Sequence, residues 1–246
     1  MSHEDIFWEL HAGLPRQGPG SAATTKALLE LCRPLPEPVH ALDIAAGPGP
    51  ASLVLASELD ALVTAVDTHR PFLEQLEERA ERRGLRSSIR TLTAPMEALP
   101  FESGAFELVW CEAAAYIMGV DAALDAWRRL LAPGGALVIT ECEWRTDEPS
   151  AAARTFWQAY PGMRTGEDNR EAIAEAGYEL LGAIELPESD WWDEYYTPLS
   201  ERIEALAEGD DPDAAALAPV LSEEILLRRD HGGDYGYTGY AMRPLS

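Results

Sequence analysis

The chain has 246 residues, of which 46% are hydrophobic, and its 43 acidic against 19 basic side chains give a formal net charge of −24. This length and apolar content suffice for one large α/β domain, with or without a cap. The negative charge disfavours nucleic acid and anionic membranes as partners, because proteins bind both through basic surfaces. Lys26 is the only lysine, which excludes a Gly-Lys-Ser/Thr phosphate loop and a Tyr-x-x-x-Lys dehydrogenase pair.

The cysteines and the N-terminal residues indicate the cellular compartment of the protein. Cys32, Cys111 and Cys142 are odd in number and far apart, so the sequence predicts neither a disulfide framework nor a metal site. The first five residues are acidic and unlike a secretory signal. No apolar run approaches the roughly 20 residues that span a bilayer. We therefore expect a cytoplasmic protein that does not enter the membrane.

The first 38 residues precede the first predicted strand. Two helices are predicted on either side of a turn-rich loop, Leu14–Ser21, and Ser21 or Thr24 caps the second helix. We expect residues 1–38 to form a helical lid in which Arg16 meets a ligand carboxylate or the substrate. A plain linker between two helices is the alternative.

A strand, a glycine turn and a helix come next. The apolar run Val39–Ile44 contains Asp43 near its end and is followed by Gly47 and Gly49. Glycines let the backbone turn sharply and approach a ligand closely, and this unit presents nucleotides at the end of a sheet. Asp67 ends the second predicted strand, twenty residues after Gly47, where an acid can accept both ribose hydroxyls of an adenosine.

The sequence around this turn does not suit a dinucleotide. Ser52 stands where the dinucleotide fingerprint has its third glycine, and Asp43 would repel a pyrophosphate but suits an amino group. The stretch Asp43–Gly49 resembles the first motif, acid-x-Gly-x-Gly-x-Gly, of the class I S-adenosylmethionine-dependent methyltransferases, with Ala45 in place of the first glycine. The resemblance implies S-adenosylmethionine as the cofactor.

Three later blocks extend this resemblance over residues 39–142. Leu99–Phe101 and Phe106–Val109 match the family's pattern before and within the fourth strand, and Trp127–Gly135 matches the approach to the fifth. Pro95 departs from the pattern, because the family often has an acid there for the adenine amino group.

Each part of the cofactor has an implied partner. Asp43 and Gly47 would surround the methionine end, Asp67 would bind the ribose, and Met96 would lie beside adenine. Glu97 would replace the missing acid, or is simply a solvated side chain. The full set of implied cofactor contacts is Arg16, Gly18, Asp43, Ala45, Gly47, Gly49, Asp67, Thr68, Met96, Glu97, Cys111 and Glu112.

The remainder of the chain is less standard. A helix capped by Asp121 is predicted before the fifth strand, and short pieces such as Pro15–Gly20 and Asp234–Tyr237 resemble small-molecule methyltransferases of the ubiquinone/menaquinone type. The resemblance implies an α/β fold: a Rossmann-like, mostly parallel seven-stranded sheet with the last strand antiparallel and helices on both faces. Residues 39–246 would form the methyltransferase domain, including a helical and aromatic cap from about 144–230.

Methyl transfer from a sulfonium is a direct displacement, so alignment dominates and a base is needed only for a protonated nucleophile. Tyr116 after the fourth strand, Glu143 at the end of the fifth and His11 near the lid are the catalytic candidates; a packing tyrosine and a solvated acid are the alternatives for the first two. The late aromatic residues would either enclose an ammonium group or form a core for the cap. They are Trp144, Trp157, Tyr160, Trp191, Trp192, Tyr195 and Tyr196.

The predicted function is S-adenosylmethionine-dependent methyl transfer to a small molecule, with cationic and aromatic acceptors both open. The Asn/Asp-Pro-Pro-Tyr signature of exocyclic-amine methylation is absent, and Cys111–Ala114 stands in its place. The alternatives are an NAD(P)-dependent oxidoreductase and a non-catalytic S-adenosylmethionine-binding module. The acceptor atom and the oligomeric state are not predicted.

Overall fold

The computed structural model describes residues 3–245. The strands are β1 (His40–Ile44), β2 (Leu62–Asp67), β3 (Ile89–Thr93), β4 (Phe106–Glu112), β5 (Leu131–Trp144), β6 (Tyr178–Glu185) and β7 (Tyr235–Pro244). The helices are α1 (His3–His11), α2 (Ala22–Leu31), α3 (Pro50–Leu59), α4 (Arg70–Arg82), α5 (Val120–Arg128), α6 (Ala151–Phe156), α7 (Gly166–Glu175), α8 (Glu188–Trp191), α9 (Thr197–Ala207), α10 (Pro212–Ala215), α11 (Ala218–Leu221) and α12 (Glu223–His231). Short 3₁₀ turns lie at Ala115–Ile117 and Trp157–Ala159, and a π-helical turn lies at Trp192–Tyr196.

The strands form one seven-stranded sheet in the order β3-β2-β1-β4-β5-β7-β6. β1 is parallel to both β2 and β4, whereas β7 is antiparallel to its neighbours β5 and β6. This confirms the predicted sheet and its antiparallel last strand. The strand order reverses between β1 and β4, and ligands of open α/β sheets bind at the carboxyl ends of strands beside such a reversal. The residues after Ile44 and Glu112 therefore mark the first place to look for a site.

Helices cover both faces of the sheet. On one face, Leu28 of α2 and Leu76 of α4 belong to the same apolar cluster as Trp110 of β4. On the other face, Leu124 of α5 clusters with Val109 of β4. Val109 and Trp110 serve opposite faces because successive side chains of a strand alternate.

A third apolar cluster lies beyond the sheet. It joins Ile6 and Leu10 of α1 with Trp191, Leu199 and Tyr235 from the later part of the chain. The first helix and the segment expected to form a cap thus share one core at the carboxyl end of β5 and the start of β7. The functional division into lid and cap stays a prediction.

Two local predictions have different outcomes. Ser21 caps α2, since its Oγ accepts a 3.1 Å hydrogen bond from the Thr24 N–H. The predicted Asp121 cap is wrong: α5 begins at Val120, and the preceding Gly119 makes no side-chain cap bond. Asp121 instead lies in the first turn, where an acid is favourable beside the positive end of the helix dipole. No described helix is both long and apolar enough to cross a membrane.

Candidate active site

The turn after β1 holds the backbone in a conformation that glycine favours. Ala45, Gly47 and Gly49 have φ values of 55°, 54° and 77°. A Cβ on Gly49 would lie 2.1 Å from Leu76 Cδ1, whereas one on Gly47 would meet only the Gln17 side chain, at 3.5 Å. Position 49 therefore requires glycine because a side chain would clash with α4, and position 47 favours glycine because of its positive φ. Ala45 bears a left-handed conformation that costs a non-glycine residue about 1 kcal/mol.

The carboxylate of Asp67 fastens this turn to the end of β2. Its Oδ2 accepts a 2.8 Å hydrogen bond from the Gly47 N–H, and its Oδ1 accepts a 2.7 Å bond from the His69 N–H. The two backbone donors fix the orientation of the side chain. Each carboxylate oxygen can accept more than one hydrogen bond, so acceptor capacity remains for a ligand.

Asp43 is the second acid at this edge, and its side chain is almost fully buried. It is 2% exposed, and its Oδ2 accepts a 2.6 Å hydrogen bond from Ser52 Oγ. Burial raises the pKa of Asp43 to about 7, a rise that the Ser52 hydrogen bond opposes and the nearby Glu112 increases. Ser52, at the position of the third fingerprint glycine, thus serves as a partner for Asp43.

Arg16 reaches from the N-terminal loop across this edge. Its Nη1 donates to Glu112 Oε2 at 2.7 Å, and its Nε donates to Glu194 Oε2 at 3.0 Å. Its Nη2 is buried without a hydrogen-bond partner in the described part of the chain. Glu112 Oε1 also accepts hydrogen bonds from Thr25 and Trp110. Arg16 therefore ties the N-terminal loop to the end of β4 and to the π-helical turn, with one donor nitrogen left over.

These groups surround a cavity of about 210 Å³, which we call the first cavity. Asp43, Asp67, Arg16 and Glu112 all line it, together with the turn after β1. The two acidic strand tips therefore face one common space, at the carboxyl ends of β1 and β4.

A second cavity, of about 230 Å³, adjoins the first. Tyr116 lines both cavities, and so do the neighbouring Gln17, Gly18, Pro19 and Ala113. The rest of its wall comes from late segments of the chain and is mostly aromatic. These residues are Cys142, Phe156, Trp157, Ala159, Tyr160, Tyr195, Glu224 and Tyr237.

Comparison with known proteins assigns the family. A family model described as a methyltransferase domain matches residues 41–135. An uncharacterised methyltransferase of Bacillus subtilis (strain 168), YodH, is 30% identical over 181 residues, which cover 72% of this chain and 76% of that protein. The chain belongs to the class I S-adenosylmethionine-dependent methyltransferases.

Two further relatives agree with this assignment. The ubiquinone/menaquinone biosynthesis C-methyltransferase UbiE of Rhizobium johnstonii is 33% identical over 119 residues, 47% of this chain and 46% of that protein. A methyltransferase structure from Geobacter sulfurreducens, in complex with S-adenosyl-L-homocysteine, shares the fold with a TM-score of 0.84 at 21% identity and covers 98% of each chain. This methyltransferase uses S-adenosylmethionine and transfers its methyl group, so the oxidoreductase and the non-catalytic alternatives are set aside.

The structure brings some, but not all, of the expected cofactor residues to the first cavity of this methyltransferase. Those that line it are Arg16, Gly18, Asp43, Ala45, Gly47, Asp67 and Glu112. Those outside its lining are Gly49, Thr68, Met96, Glu97 and Cys111.

The expected cofactor residues that do not line the first cavity lie in the core or on the surface. Cys111 is fully buried in the cluster on the α5 side of the sheet, because it alternates with Glu112 along β4. Burial raises the pKa of its thiol well above the usual value. Met96 packs against the same cluster, while Thr68 and Glu97 are exposed.

Of the catalytic candidates, Glu143 lies in a buried polar network and lines neither cavity. It is 2% exposed and accepts hydrogen bonds from Tyr240, from Thr238 at 2.7 Å and from Asn169 at 3.1 Å. Arg145 also pairs with it at 3.1 Å. Both oxygens of Glu143 are engaged and it lines neither cavity, so it holds β5 and β7 to α7 and is poorly placed to act as a base.

The other two candidates lie at the site in different ways. Tyr116 lines both cavities and is 41% exposed. His11 lines neither cavity, but its Nδ1 lies 2.7 Å from Gln17 Oε1 and its carbonyl accepts a 2.9 Å bond from Gln17 Nε2. Burial lowers the pKa of His11, so the neutral ring orients Gln17, which does line both cavities.

Sequence reasoning missed several lining residues. Gln17 lies between the predicted Arg16 and Gly18, so its place in the loop could have indicated it. Ala113 directly follows Glu112 and has a φ of 54°; a residue just past a strand end was a detectable signal. Tyr237 lay in the family-like segment Asp234–Tyr237 but was not predicted as a site residue, and Glu224 had no local signal. Long-range packing brings both to the second cavity.

Proposed function

We propose that this methyltransferase binds S-adenosylmethionine in the first cavity and methylates a small molecule held in the second. The observation that carries the proposal is the shared wall: Tyr116, Ala113 and the Gln17–Pro19 stretch line both spaces. A donor and an acceptor in adjoining cavities can meet without leaving the protein. Proximity and orientation alone supply a large part of the rate in such a displacement.

The first cavity offers a partner to three groups of the cofactor. Arg16 Nη2 is a buried donor without a partner among the described residues, and a ligand carboxylate would satisfy it through a charge-assisted hydrogen bond. Asp43 suits the ammonium group, and Asp67, held by Gly47 and His69, suits the ribose hydroxyls. S-adenosylmethionine supplies, when bound, a methyl carbon activated by a positively charged sulfur.

The chain's own residues align the acceptor and exclude water. Gln17, held at both ends of its amide by His11, gives the shared wall a fixed polar group. Tyr116 lies on the same wall, and its partial burial, together with the carboxylates of Glu224 and Glu141, raises its pKa. Its phenol therefore stays protonated near neutral pH and acts as a hydrogen-bond donor and not as a base.

We further propose that residues 1–38 act as the lid. The Arg16–Glu194 ion pair, 3.0 Å between Nε and Oε2, links the N-terminal loop to the π-helical turn. This contact lies beside the first cavity and would hold the lid over a bound cofactor. A net charge of −24 supports a small acceptor over nucleic acid. The three free, buried cysteines support a cytoplasmic location.

The test uses a binding titration to report on the first cavity and a turnover assay to report on the second. Calorimetry with S-adenosylhomocysteine measures the first cavity, and a screen of small amines, phenols and thiols for S-adenosylhomocysteine release finds an acceptor. We expect Trp157→Ala, in the second cavity only, to leave S-adenosylhomocysteine affinity within about twofold while turnover of that acceptor falls. Equal loss of cofactor affinity in this variant, or undiminished turnover, would refute the two-cavity arrangement.

A further inference from the structure

The lining of the second cavity includes an acidic side chain but no basic one. Glu224 is the only charged side chain in its lining, and no described arginine, lysine or histidine lines it. The first cavity differs, because it combines Arg16 with acids. A ligand of the second cavity therefore meets negative charge without a cation from the protein to offset it.

Glu224 has no ion-pair partner among the described residues, in contrast to two other carboxylates near the site, Glu112 and Glu143. Glu112 is paired with Arg16, and Glu143 with Arg145. Glu224 accepts one hydrogen bond, of 2.6 Å, from the Tyr196 hydroxyl to Oε1, and no described residue donates to its Oε2. Burial raises its pKa, and the Tyr196 bond opposes that rise. A carboxylate so placed is stabilised by a cation from outside the chain.

The walls of the cavity suit an organic cation. Six rings line it: Tyr116, Phe156, Trp157, Tyr160, Tyr195 and Tyr237. They are not isolated, since the Tyr116 and Tyr160 ring centroids lie 5.3 Å apart, and those of Phe156 and Trp157 lie 5.2 Å apart. Aromatic faces attract ammonium groups through their quadrupoles, most strongly where water is excluded.

A second buried acid, Glu141, adjoins the lining residue Cys142 and adds negative potential when it is ionised. Glu141 is 1% exposed, and its Oε2 has no hydrogen-bond partner in the described chain. Burial raises its pKa to about 7, a rise that the hydroxyl of Tyr160 opposes. Glu141 and Glu224 both raise the pKa of Tyr116 and of Tyr237, after burial. The field of both acids therefore reaches Tyr116 and Tyr237, which both line the cavity.

We infer that the acceptor is an amine that enters the second cavity as its ammonium ion, held by Glu224 among the aromatic rings. This inference rests on the proposed placement of the acceptor in that cavity. The ammonium proton passes to the Glu224 carboxylate and then to solvent. The freed nitrogen lone pair bonds to the methyl carbon, while the carbon–sulfur bond breaks and its electron pair goes to sulfur.

The experiment compares a cation with its neutral isostere. Choline and 3,3-dimethylbutan-1-ol have nearly the same shape, but only choline is charged. Each is titrated by calorimetry into protein saturated with S-adenosylhomocysteine, so that the first cavity is filled. We expect choline to bind on the order of tenfold more tightly than the alcohol, as a buried cation–π and carboxylate contact predicts.

Two variants test whether the preference for choline depends on Glu224. Glu224→Gln keeps the side-chain shape and should reduce choline affinity on the order of tenfold while leaving the alcohol nearly unchanged. Glu223→Gln is the matched control, because Glu223 precedes it in the same helical turn, is exposed and does not line the cavity. S-adenosylhomocysteine affinity reports whether each variant is folded. If Glu224→Gln fails that check, Tyr160→Leu, which changes another lining residue, takes its place and should also weaken choline binding.

The outcomes separate this inference from the proposed function. Failure of the wild type to bind S-adenosylhomocysteine would overturn the assignment of the first cavity. Three outcomes would overturn the amine inference alone, provided that S-adenosylhomocysteine binds normally. Choline does not bind, the alcohol binds equally well, or Glu224→Gln keeps the preference for choline.

Discussion

Gly47 and Asp67 join the ends of β1 and β2 through one hydrogen bond, 2.8 Å from the Gly47 N–H to Asp67 Oδ2. The acid that faces the first cavity is therefore also the group that shapes the turn on the neighbouring strand. Any change to this carboxylate acts on the turn and on the proposed ribose contact together.

Asp67→Asn should weaken S-adenosylhomocysteine binding on the order of tenfold. An amide turns its NH₂ group toward one of the two backbone donors, Gly47 or His69, so one hydrogen bond is replaced by a donor–donor contact. Calorimetric titration measures the loss. Asp60→Asn is the control, because Asp60 is exposed at the end of α3 in a left-handed conformation that asparagine tolerates. Equal affinities for wild type and Asp67→Asn would contradict the role given to Asp67.

Arg16→Gln should lower the free energy of unfolding by about 3 kcal/mol. The change leaves Glu112, which is largely buried, without its cationic partner, and breaking a buried ion pair is costly. Urea denaturation measures the difference. Arg33→Gln removes an exposed pair with Glu30 and should change stability by less than about 1 kcal/mol. Similar losses in the two variants would show that the Arg16 pair is not a structural tie.

Ala45→Gly should be more favourable than Ala46→Gly by about 1 kcal/mol. Ala45 has a φ of 55°, and glycine removes the steric cost of that conformation. Both substitutions add the same flexibility to the unfolded chain, so their difference reports the strain relieved at Ala45 together with the packing lost at the buried Ala46. Thermal and urea unfolding of the pair measure it. A more destabilised Ala45→Gly would mean that the methyl group of Ala45 contributes packing that outweighs the strain.

Cofactor binding should release a proton near pH 6–7. Asp43 has a pKa raised to about 7 by burial, so at pH 6 it is mostly protonated. A bound ammonium group favours the carboxylate form and lowers this pKa, so binding expels the proton and affinity rises with pH until Asp43 is ionised. Calorimetry of S-adenosylmethionine in two buffers of different ionisation enthalpy counts the protons. The Asp43→Asn variant should release fewer protons on binding. An unchanged number would mean that the released proton comes from a group other than Asp43.

The sequence by itself determined the local unit on which the first cavity is built. The apolar run of β1, the turn at Gly47 and the acid at the end of β2 are each encoded by neighbouring residues. Asp43 and Asp67 could be predicted to face one space because the carboxyl ends of adjacent parallel strands meet at one edge of the sheet. The antiparallel last strand came only from the family resemblance, since strand direction is not a local property.

Only the tertiary structure decided which side chains face a cavity. Cys111 and Glu112 are consecutive and were equal candidates, but strand alternation puts one into the core and the other beside Arg16. Glu143 was a candidate base because it ends the fifth strand, yet long-range partners occupy both of its oxygens. Glu224 had no local signal and lines the second cavity. That cavity is assembled from segments more than 200 residues apart along the chain, Gln17 to Tyr237. Helix and strand periodicity describe short-range order, and they carry no information about such contacts.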